Sequence, residues 1–356
     1  IDWSVPIYQR PQHLALQLAR QGVPYFFTTP NARFDKVHGV QRLSSGCYLT
    51  DRYDLLLESE QQKVFHLLST DMNYGAPHLP RDMAFIEREL KAGNRILYEY
   101  IDEIHPAISG TAIPKEIYDR HELLLRDERV AVVATASKLY DEVAKKRSRN
   151  FELVTNGVDY EHFSKAFARD TAPPELEPLI NSKRPIIGYF GALAEWFDYE
   201  LTLKMAEERN WNILLIGFDY DGSMHRYGLS HRSNPRVIGP IPYKDLPRYA
   251  RWFDVATIPF RVNDITESTS PIKLFEYMAM GKPIVTTEMP ECRKYKSVLV
   301  GRDHSEFVSL VDRALGLRND PGYAEQLKAD ALANTWASKA HAIADLLAQQ
   351  ASEAEH

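Results

Sequence analysis

A lysine and a glutamate stand three residues apart in the segment STSPIKLFE, at Lys273 and Glu276. Thr269 or Ser270 can cap a helix at this point, and Pro271 fits its first turn. A helix start offers free backbone N–H groups, and a lysine and nearby hydroxyls complete a set that suits a diphosphate. A carboxylate one turn further along can accept both hydroxyls of a ribose. The predicted binding groups are Ser268, Thr269, Ser270, Lys273 and Glu276.

An ordinary amphipathic helix is the alternative interpretation of the same segment. Leu274, Phe275 and Met278 fall on one apolar face of a helical wheel, together with Ile272 and Ala279. Lys273 and Glu276 would then form a solvated pair of little consequence.

Three polar residues follow a predicted strand in the first half, at Asp102, Glu103 and His105. Functional groups of α/β proteins gather at the carboxyl ends of strands. These side chains could therefore bind a second substrate, or activate its hydroxyl as a general base. A helix-capping aspartate and a solvated histidine are the alternative. Asp102 and His105, with Lys273, are the predicted catalytic residues.

Further candidates for the diphosphate site are scattered along the chain. Arg10 lies at a helix start, with a surface arginine as the alternative, and Arg261 is a second basic candidate. Gly191 permits close backbone approach. Glu195 and Asp198 could contact a sugar, although Asp198 could equally cap a helix. Ile241 and Tyr243 are predicted near a nucleobase, with a simple turn and helix start as the alternative.

Composition restricts the class of protein. The chain has 356 residues, 44% of them hydrophobic, and a net charge of −6. This balance argues against duplex nucleic-acid binding. Two cysteines, Cys47 and Cys292, cannot form a disulfide framework, which favours a reducing compartment. No apolar run approaches the ~18 residues that span a bilayer. No His/Cys/Asp cluster has metal-ligand spacing, so we expect neither metal nor cofactor.

Short apolar runs alternate with segments of helical period, which predicts an α/β protein built from βαβ units. The rhythm breaks over residues 164–184, where Pro173, Pro174 and Pro178 indicate a connection between domains. The first set of predicted strands is Val23–Thr29, Lys63–Ser69, Arg95–Ile101, Val130–Ser137 and Phe151–Asn156. The second set is Pro185–Gly191, Asn212–Gly217, Arg236–Gly239, Val255–Phe260, Pro283–Thr287 and Ser297–Gly301.

These patterns predict two doubly wound, Rossmann-like domains facing each other across a cleft. We expect the first over residues 1–165 and the second over 180–335. A C-terminal helix over 336–356 follows, for which packing back on the first domain is one arrangement. A helix follows almost at once after Ile1, where an α/β domain normally has a strand. Preceding sequence, or membership of a longer polypeptide, would explain this.

The segment DVATIPFRVNDITESTSPIKLFEYMAMGKPIVTT, residues 254–287, resembles the donor-binding region of GT-B glycosyltransferases of family GT4. That region commonly has the form S-P-x-K-x-x-E-Y-x-A-x-G-x-P-V. The resemblance extends to LVTNGVDYEHF (153–163), IIGYFGALAEWFDYELTLKMA (186–206) and VIGPIPYKDLPRYARWFDV (237–255). It implies a GT-B fold, with the nucleotide sugar held by the second domain and the acceptor by the first.

Two departures from the family pattern affect the predicted site. Many GT4 enzymes carry two glutamates separated by seven residues, and Ser268 stands where the first would be. Only the ribose-binding role therefore transfers, to Glu276. The family also often places Arg and Lys after the second domain's first glycine loop, but residues 191–198 contain no basic residue.

The resemblance implies metal-independent transfer from a nucleoside-diphosphate sugar to a hydroxyl of a saccharide or lipid-linked acceptor, with retention of anomeric configuration. UDP or dTDP is favoured because Ile241 and Tyr243 suit a pyrimidine. Synthesis of surface polysaccharide or glycoconjugate is the expected setting, in the cytoplasm, with the inner membrane face and peripheral association as the alternative location. A sugar-nucleotide epimerase and a non-catalytic saccharide-binding module of a larger synthase are the alternative functions.

Overall fold

A computed structural model describes residues 2–5, 8–70, 82–165 and 172–354, and divides the chain into two units. The first unit comprises residues 1–155 and 336–356, and the second comprises residues 156–335. The chain thus leaves the first unit at Thr155 and returns to it at Trp336. The division precedes the predicted connection over 164–184. Where that stretch is described, it forms short helices of the second unit, at Pro174–Leu176 and Glu177–Asn181.

The first unit contains two sheets and not the single sheet that the sequence predicts. A parallel four-stranded sheet runs in the order β4-β5-β6-β7. A smaller sheet has the order β1-β3-β2, in which β2 is antiparallel to β3. The seven strands are β1 (Tyr25–Thr28), β2 (Val40–Ser44), β3 (Cys47–Thr50), β4 (Val64–Leu68), β5 (Arg95–Tyr100), β6 (Ala131–Ala134) and β7 (Phe151–Leu153).

Six helices precede the crossing into the second unit: α1 (Arg10–Arg20), α2 (Tyr53–Glu58), α3 (Met83–Lys91), α4 (Pro106–Ser109), α5 (Lys115–Arg126) and α6 (Ser137–Ala144). In α1 the predicted apolar face is buried, with Leu14 and Ala15 at its centre. Gln9 and Gln12 form a reciprocal capping box at its start.

The second unit is a six-stranded, all-parallel sheet whose inner strands are almost entirely buried and mostly apolar, whereas its two edge strands contain half-buried residues. All six predicted strands are present: β8 (Ile186–Phe190), β9 (Asn212–Ile216), β10 (Arg236–Ile238), β11 (Val255–Ile258), β12 (Ile284–Thr287) and β13 (Val298–Gly301). Their order is β10-β9-β8-β11-β12-β13. This is the Rossmann order, and its direction reverses between β8 and β11.

Helices cover the strands of this second sheet: α7 (Tyr160–Ser164), α8 (Glu177–Asn181), α9 (Tyr199–Glu208), α10 (Ser223–Arg226), α11 (Leu246–Ala250), α12 (Asp264–Glu267), α13 (Ile272–Ala279), α14 (Pro290–Arg293), α15 (His304–Gly316) and α16 (Pro321–Ala333). Short 3-10 helices lie at Pro174–Leu176, Leu229–His231 and Tyr243–Asp245. Within the described chain, no helix is both long enough and apolar enough to cross a membrane.

The C-terminal helix, expected over residues 336–356, belongs to the first unit, whereas the helix that precedes it belongs to the second. The helix α16 ends at Ala333, and Asn334 and Thr335 connect it to α17 (Trp336–Ala354), which belongs to the first unit. There α17 packs on α1, with the Trp336 ring stacked on His13 at a centroid distance of 4.7 Å. Gln21 Nε2 also donates to the Ala337 carbonyl at 3.0 Å.

Candidate functional site

Lys273 lies in the first turn of α13, and its ammonium group is at the point where the strand order reverses. Its Nζ lies 4.9 Å from the ring centroid of Phe260 and 5.4 Å from that of Tyr189. Tyr189 belongs to β8 and Phe260 follows β11, so the lysine lies over the carboxyl ends of the two strands that flank the reversal. Ligands of open α/β sheets bind at this position.

Gly191 supplies the space that the lysine needs. Its φ of +137° is in the region that glycine favours. A Cβ on this residue would lie 3.0 Å from Lys273 Cε and 3.0 Å from the Tyr189 hydroxyl. A Cβ on Gly217 would lie only 1.9 Å from the Gly191 carbonyl oxygen, so the two loops approach each other through paired glycines. Gly191 and Lys273 are therefore neighbours, as their predicted shared role requires.

Glu276 follows Lys273 by three residues and is 5% exposed. Among the described residues, neither side chain makes a hydrogen bond or an ion pair. Burial raises the pKa of Glu276 to about 8, although the charge of Lys273 opposes the rise. Burial lowers the pKa of Lys273 to about 8, against the charge of Glu276. Buried ionisable groups without partners cost free energy, so a pair of them indicates a binding function more than a structural one.

The three hydroxyl groups predicted to bind a diphosphate make hydrogen bonds to other groups of the protein. Ser268, fully buried, donates to the Asp264 carbonyl at 3.2 Å, and Thr269 Oγ1 donates to the Ile265 carbonyl at 2.9 Å. Ser270 Oγ accepts the Asn156 N–H at 3.2 Å. Neither Thr269 nor Ser270 caps α13. Pro271 is its N-cap residue, no side chain caps it, and its first N–H groups lack a side-chain acceptor. The prediction of capping by Thr269 or Ser270 is wrong.

Asn156 holds the segment that precedes α13, a role that sequence reasoning missed. Its Nδ2 donates to the Ser270 carbonyl at 2.6 Å, in addition to the N–H bond to Ser270 Oγ. Nearby, Asp159 caps α7 by accepting the His162 N–H at 3.1 Å. The Asn-Gly pair within residues 153–163 was the sequence signal available for this role, and by itself such a pair indicates only a turn.

The loop after β8 gives its two acidic residues structural partners. Glu195 is 54% exposed and pairs with Arg226. Asp198 caps α9 by accepting the Leu201 N–H at 2.9 Å, and its other oxygen lies 2.8 Å from His304 Nε2. The capping alternative for Asp198 therefore describes the structure. Neither carboxylate contacts Lys273 or Glu276 in the described residues.

Tyr243 and Ile241 lie at the edge of the hydrophobic core of the second unit. Tyr243 begins a 3-10 helix and stacks on His162 at 4.6 Å between centroids. His162 Nε2 is also 3.0 Å from the Tyr243 carbonyl oxygen. The turn-and-helix alternative describes this segment, and its predicted contact with a nucleobase stays a prediction.

Arg10 is a buried structural residue of the first unit and not an accessible cation. It is 2% exposed, and its Nε and Nη2 donate to Glu99 at 3.0 and 2.7 Å. His66 Nε2 lies 3.0 Å from the other Glu99 oxygen, and His66 Nδ1 is 2.8 Å from the Tyr25 hydroxyl. Burial acts to raise the pKa of Glu99, but the charges of Arg10 and His66 lower it to about 2. The charge of Arg10 is neutralised by Glu99, so Arg10 is not available as a ligand of the diphosphate.

Asp102, Glu103 and His105 follow β5, as predicted, but their side chains differ in burial and in hydrogen bonding. Burial raises the pKa of Asp102 to about 7, and the charge of Glu103 adds to this rise. Glu103 accepts a hydrogen bond from the Tyr100 hydroxyl at 3.2 Å. His105 is exposed and caps α4, with its Nδ1 accepting the Ala107 N–H at 3.1 Å. Of the three, Asp102 has the properties of a general base near neutral pH, whereas His105 has a structural role.

In the described parts of the chain, no three His, Cys, Asp or Glu side chains are grouped so that they could hold a metal ion.

Comparison with known proteins agrees with this arrangement. The sequence profile of the family described as "Glycosyl transferases group 1" matches residues 184–316, which carry β8–β13 and α13. TuaH of Bacillus subtilis (strain 168), named as a teichuronic acid biosynthesis glycosyltransferase, is 26% identical to this chain over 262 residues. The match covers 69% of the chain and 65% of the length of TuaH.

Solved structures resemble the fold of this chain over most of its length. Anabaena HepE with UDP bound covers 83% of the chain, with 81% of its own length matched, at 14% identity and a TM-score of 0.60. The trehalose 6-phosphate synthase from Burkholderia multivorans covers 98% of both chains at 12% identity and a TM-score of 0.68. At such low identity the likeness concerns the fold alone. The fold is GT-B, with two Rossmann-like domains.

Proposed function

We propose that this chain transfers a sugar from a nucleoside-diphosphate sugar to a hydroxyl group of a saccharide or glycolipid acceptor. The observation that carries the proposal is the pair of Glu276, which is buried, and Lys273, which is half-buried at the reversal of strand order; among the described residues neither side chain makes a hydrogen bond or an ion pair. A diphosphate and a ribose would provide the missing partners. We favour UDP, because HepE was crystallised with UDP and with UDP-glucose, and dTDP shares its pyrimidine ring.

In this proposal the donor diphosphate lies at the start of α13. Lys273 Nζ and the start of α13, which no side chain caps, meet its negative charge. Negative charge grows on the diphosphate as the glycosidic bond breaks, so the same groups stabilise the transition state. They take the place that a metal ion has in other sugar transfers, which is why we propose metal-independent transfer. The carboxyl oxygens of Glu276 accept the ribose hydroxyls.

Asp102 is our candidate for the group that accepts the proton of the acceptor hydroxyl. Its pKa of about 7 suits a base that works near neutral pH. We propose retention of anomeric configuration, as the GT4 resemblance implies. The name of TuaH supports a setting in surface polysaccharide or glycoconjugate synthesis.

Isothermal titration calorimetry with UDP, dTDP, GDP and ADP tests the donor site. We expect UDP or dTDP to bind most tightly, and Glu276→Gln to weaken that binding roughly 10-fold or more, since a hydrogen bond to a charged group is lost. Glu325→Gln is the matched control, because Glu325 is 75% exposed on α16. Unchanged affinity in a folded Glu276→Gln protein would reject the donor site. Release of an epimerised sugar without acceptor would indicate an epimerase instead.

We further propose that the first unit associates with anionic membrane surfaces. Phe26, Phe34 and Val40 are 39%, 40% and 55% exposed, and Arg33 and Arg42 lie exposed on the same small sheet and its connection. Apolar side chains beside basic ones favour an anionic interface. Co-sedimentation with phosphatidylglycerol vesicles should exceed that with phosphatidylcholine, and Phe34→Asp should reduce it. The control Val262→Asp, at an exposed position of the second unit, should not.

A further inference from the structure

Arg261 follows β11 and is held by its backbone from two sides. Its N–H donates to the Trp196 carbonyl at 2.8 Å, in the loop that begins at Gly191. Its own carbonyl accepts the Thr266 hydroxyl at 2.6 Å, and Thr266 is 2% exposed. The loop after β11 is thereby joined to the loop after β8, on either side of the reversal of strand order. The arginine is fixed where donor ligands of this fold bind.

The guanidinium of Arg261 rests against a platform of two tyrosines. Nη2 donates to the Tyr227 hydroxyl at 2.6 Å, and the guanidinium carbon lies 5.8 Å from the ring centroid of Tyr227. The Tyr227 ring stacks on Tyr199 at 4.7 Å with an interplanar angle of 18°. Tyr199 is fully buried, and its hydroxyl bonds to Ser223 Oγ at 2.8 Å. The platform is therefore anchored in the core.

Most of the donor capacity of this guanidinium is unused. Arginine carries five N–H donors, and within the described residues the bond to Tyr227 is the one it makes. Glu200 Oε1 is 4.0 Å from Nη2, beyond hydrogen-bond distance, and Glu200 is 68% exposed. Arg261 itself is 34% exposed. A fixed, half-exposed guanidinium with a free fork is suited to a carboxylate or a phosphate.

We propose that Arg261 binds an oxyanion of the donor, and that Tyr227 is the positioning residue that presents it. The oxyanion is the β-phosphate or a carboxylate carried by the transferred sugar. This inference rests on the proposed function and extends it to a second cation. Phe260 directs its ring towards Lys273, whereas Arg261, the next residue, extends towards Tyr227. The two cations thus reach different parts of one ligand.

A double-mutant cycle on ligand affinity tests the proposal. Calorimetry compares the intact protein with Arg261→Ala, Tyr227→Phe and the double variant, using UMP, UDP, UDP-glucose and UDP-glucuronic acid. We expect Arg261→Ala to raise Kd roughly 10- to 100-fold, as for loss of a charged hydrogen bond. Tyr227→Phe should raise it several-fold, and should add nothing in the Arg261→Ala background. Arg232→Ala is the control, since Arg232 is 43% exposed and pairs with Glu207.

The four ligands separate the two oxyanions. Loss of affinity for UDP and UDP-glucose but not for UMP assigns Arg261 to the β-phosphate. Loss confined to UDP-glucuronic acid assigns it to a sugar carboxylate. Equal loss for all four ligands, or a Tyr227→Phe effect that persists without Arg261, would overturn the proposal. If Glu276→Gln weakens UDP binding while Arg261→Ala weakens the binding of none of the four ligands, this inference fails and the proposed function stands.

Discussion

Burial and charge oppose each other at Glu276, and the opposition should be measurable as a dependence of stability on pH. Its pKa is about 8 in the folded protein, against 4.5 when unfolded. Unfolding therefore releases a proton between these values, so the free energy of unfolding falls as pH rises from about 4.5 to 8. The Glu276→Gln protein has no titrating carboxyl group at this position, so its free energy of unfolding does not show this decrease. Relative to the wild type, it should gain on the order of 1 kcal/mol or more between pH 5 and pH 7.5.

Urea denaturation at the two pH values provides the measurement, with Glu325→Gln as the exposed control. A difference between wild type and Glu276→Gln that is the same at both pH values would contradict the assigned burial of an unpaired carboxyl group.

Lys273 should make donor affinity depend on pH above neutrality. Its pKa of about 8 means that the free protein carries the ammonium charge at pH 7 and loses it above pH 8. We expect the affinity for UDP to fall between pH 7 and pH 9. Lys273→Met should bind UDP roughly 10- to 100-fold more weakly at pH 7, with little further change up to pH 9. Lys328→Met, at a half-exposed position, is the control for calorimetry.

The sequence predicts that Lys273 and Glu276 lie close together, because residues three apart on a helix share a face. The spacing could not show how the neighbouring hydroxyls are used. Ser270 is held by Asn156, more than a hundred residues away, and such a contact leaves no local pattern. Arg10 is the same kind of case, since its partner Glu99 lies in the middle of an otherwise apolar strand.

The helix α13 depends on the segment that leads into it. Asn156 makes two hydrogen bonds to Ser270, one to its carbonyl and one to its hydroxyl. Asn156→Ala should cost about 1–3 kcal/mol of stability, because buried polar groups lose their partners. It should also weaken UDP binding, because the start of α13 loses its support. Thermal unfolding and calorimetry check both effects, with the exposed Asn319→Ala as control. If the Asn156→Ala protein has a lower free energy of unfolding but binds UDP with unchanged affinity, Asn156 contributes to stability and not to donor binding.

Strands could be predicted from the sequence where burial alone determines which residue types they contain. The inner strands β8, β9, β11 and β12 are buried and consist mostly of apolar residues. The strand β2 was missed because its residues VQRLS are exposed or half-exposed and lack a clear alternation. The helices α16 and α17 are both alanine-rich, and the chain passes from the second unit to the first between them, after Asn334 and Thr335.

At the scale of the whole molecule, every residue assigned to the donor lies in one continuous stretch. Residues 156–335 contain the complete six-stranded sheet, Lys273, Glu276 and Arg261. We expect this fragment, expressed alone, to fold and to bind UDP within about tenfold of the intact chain. Circular dichroism and calorimetry provide the measurement. A folded fragment that binds no UDP would mean that the first unit contributes essential donor contacts.

The first unit, unlike the second, is built from both ends of the chain. During synthesis α1 emerges early, but α17, whose Trp336 covers His13, emerges only after the entire second unit has been made. At ribosomal speeds this interval is roughly 15–65 s. The unit that is second in sequence can therefore finish folding first, while the earlier-made unit waits with an apolar helix surface uncovered. The nascent chain is consequently open to chaperone binding on α1 throughout that interval.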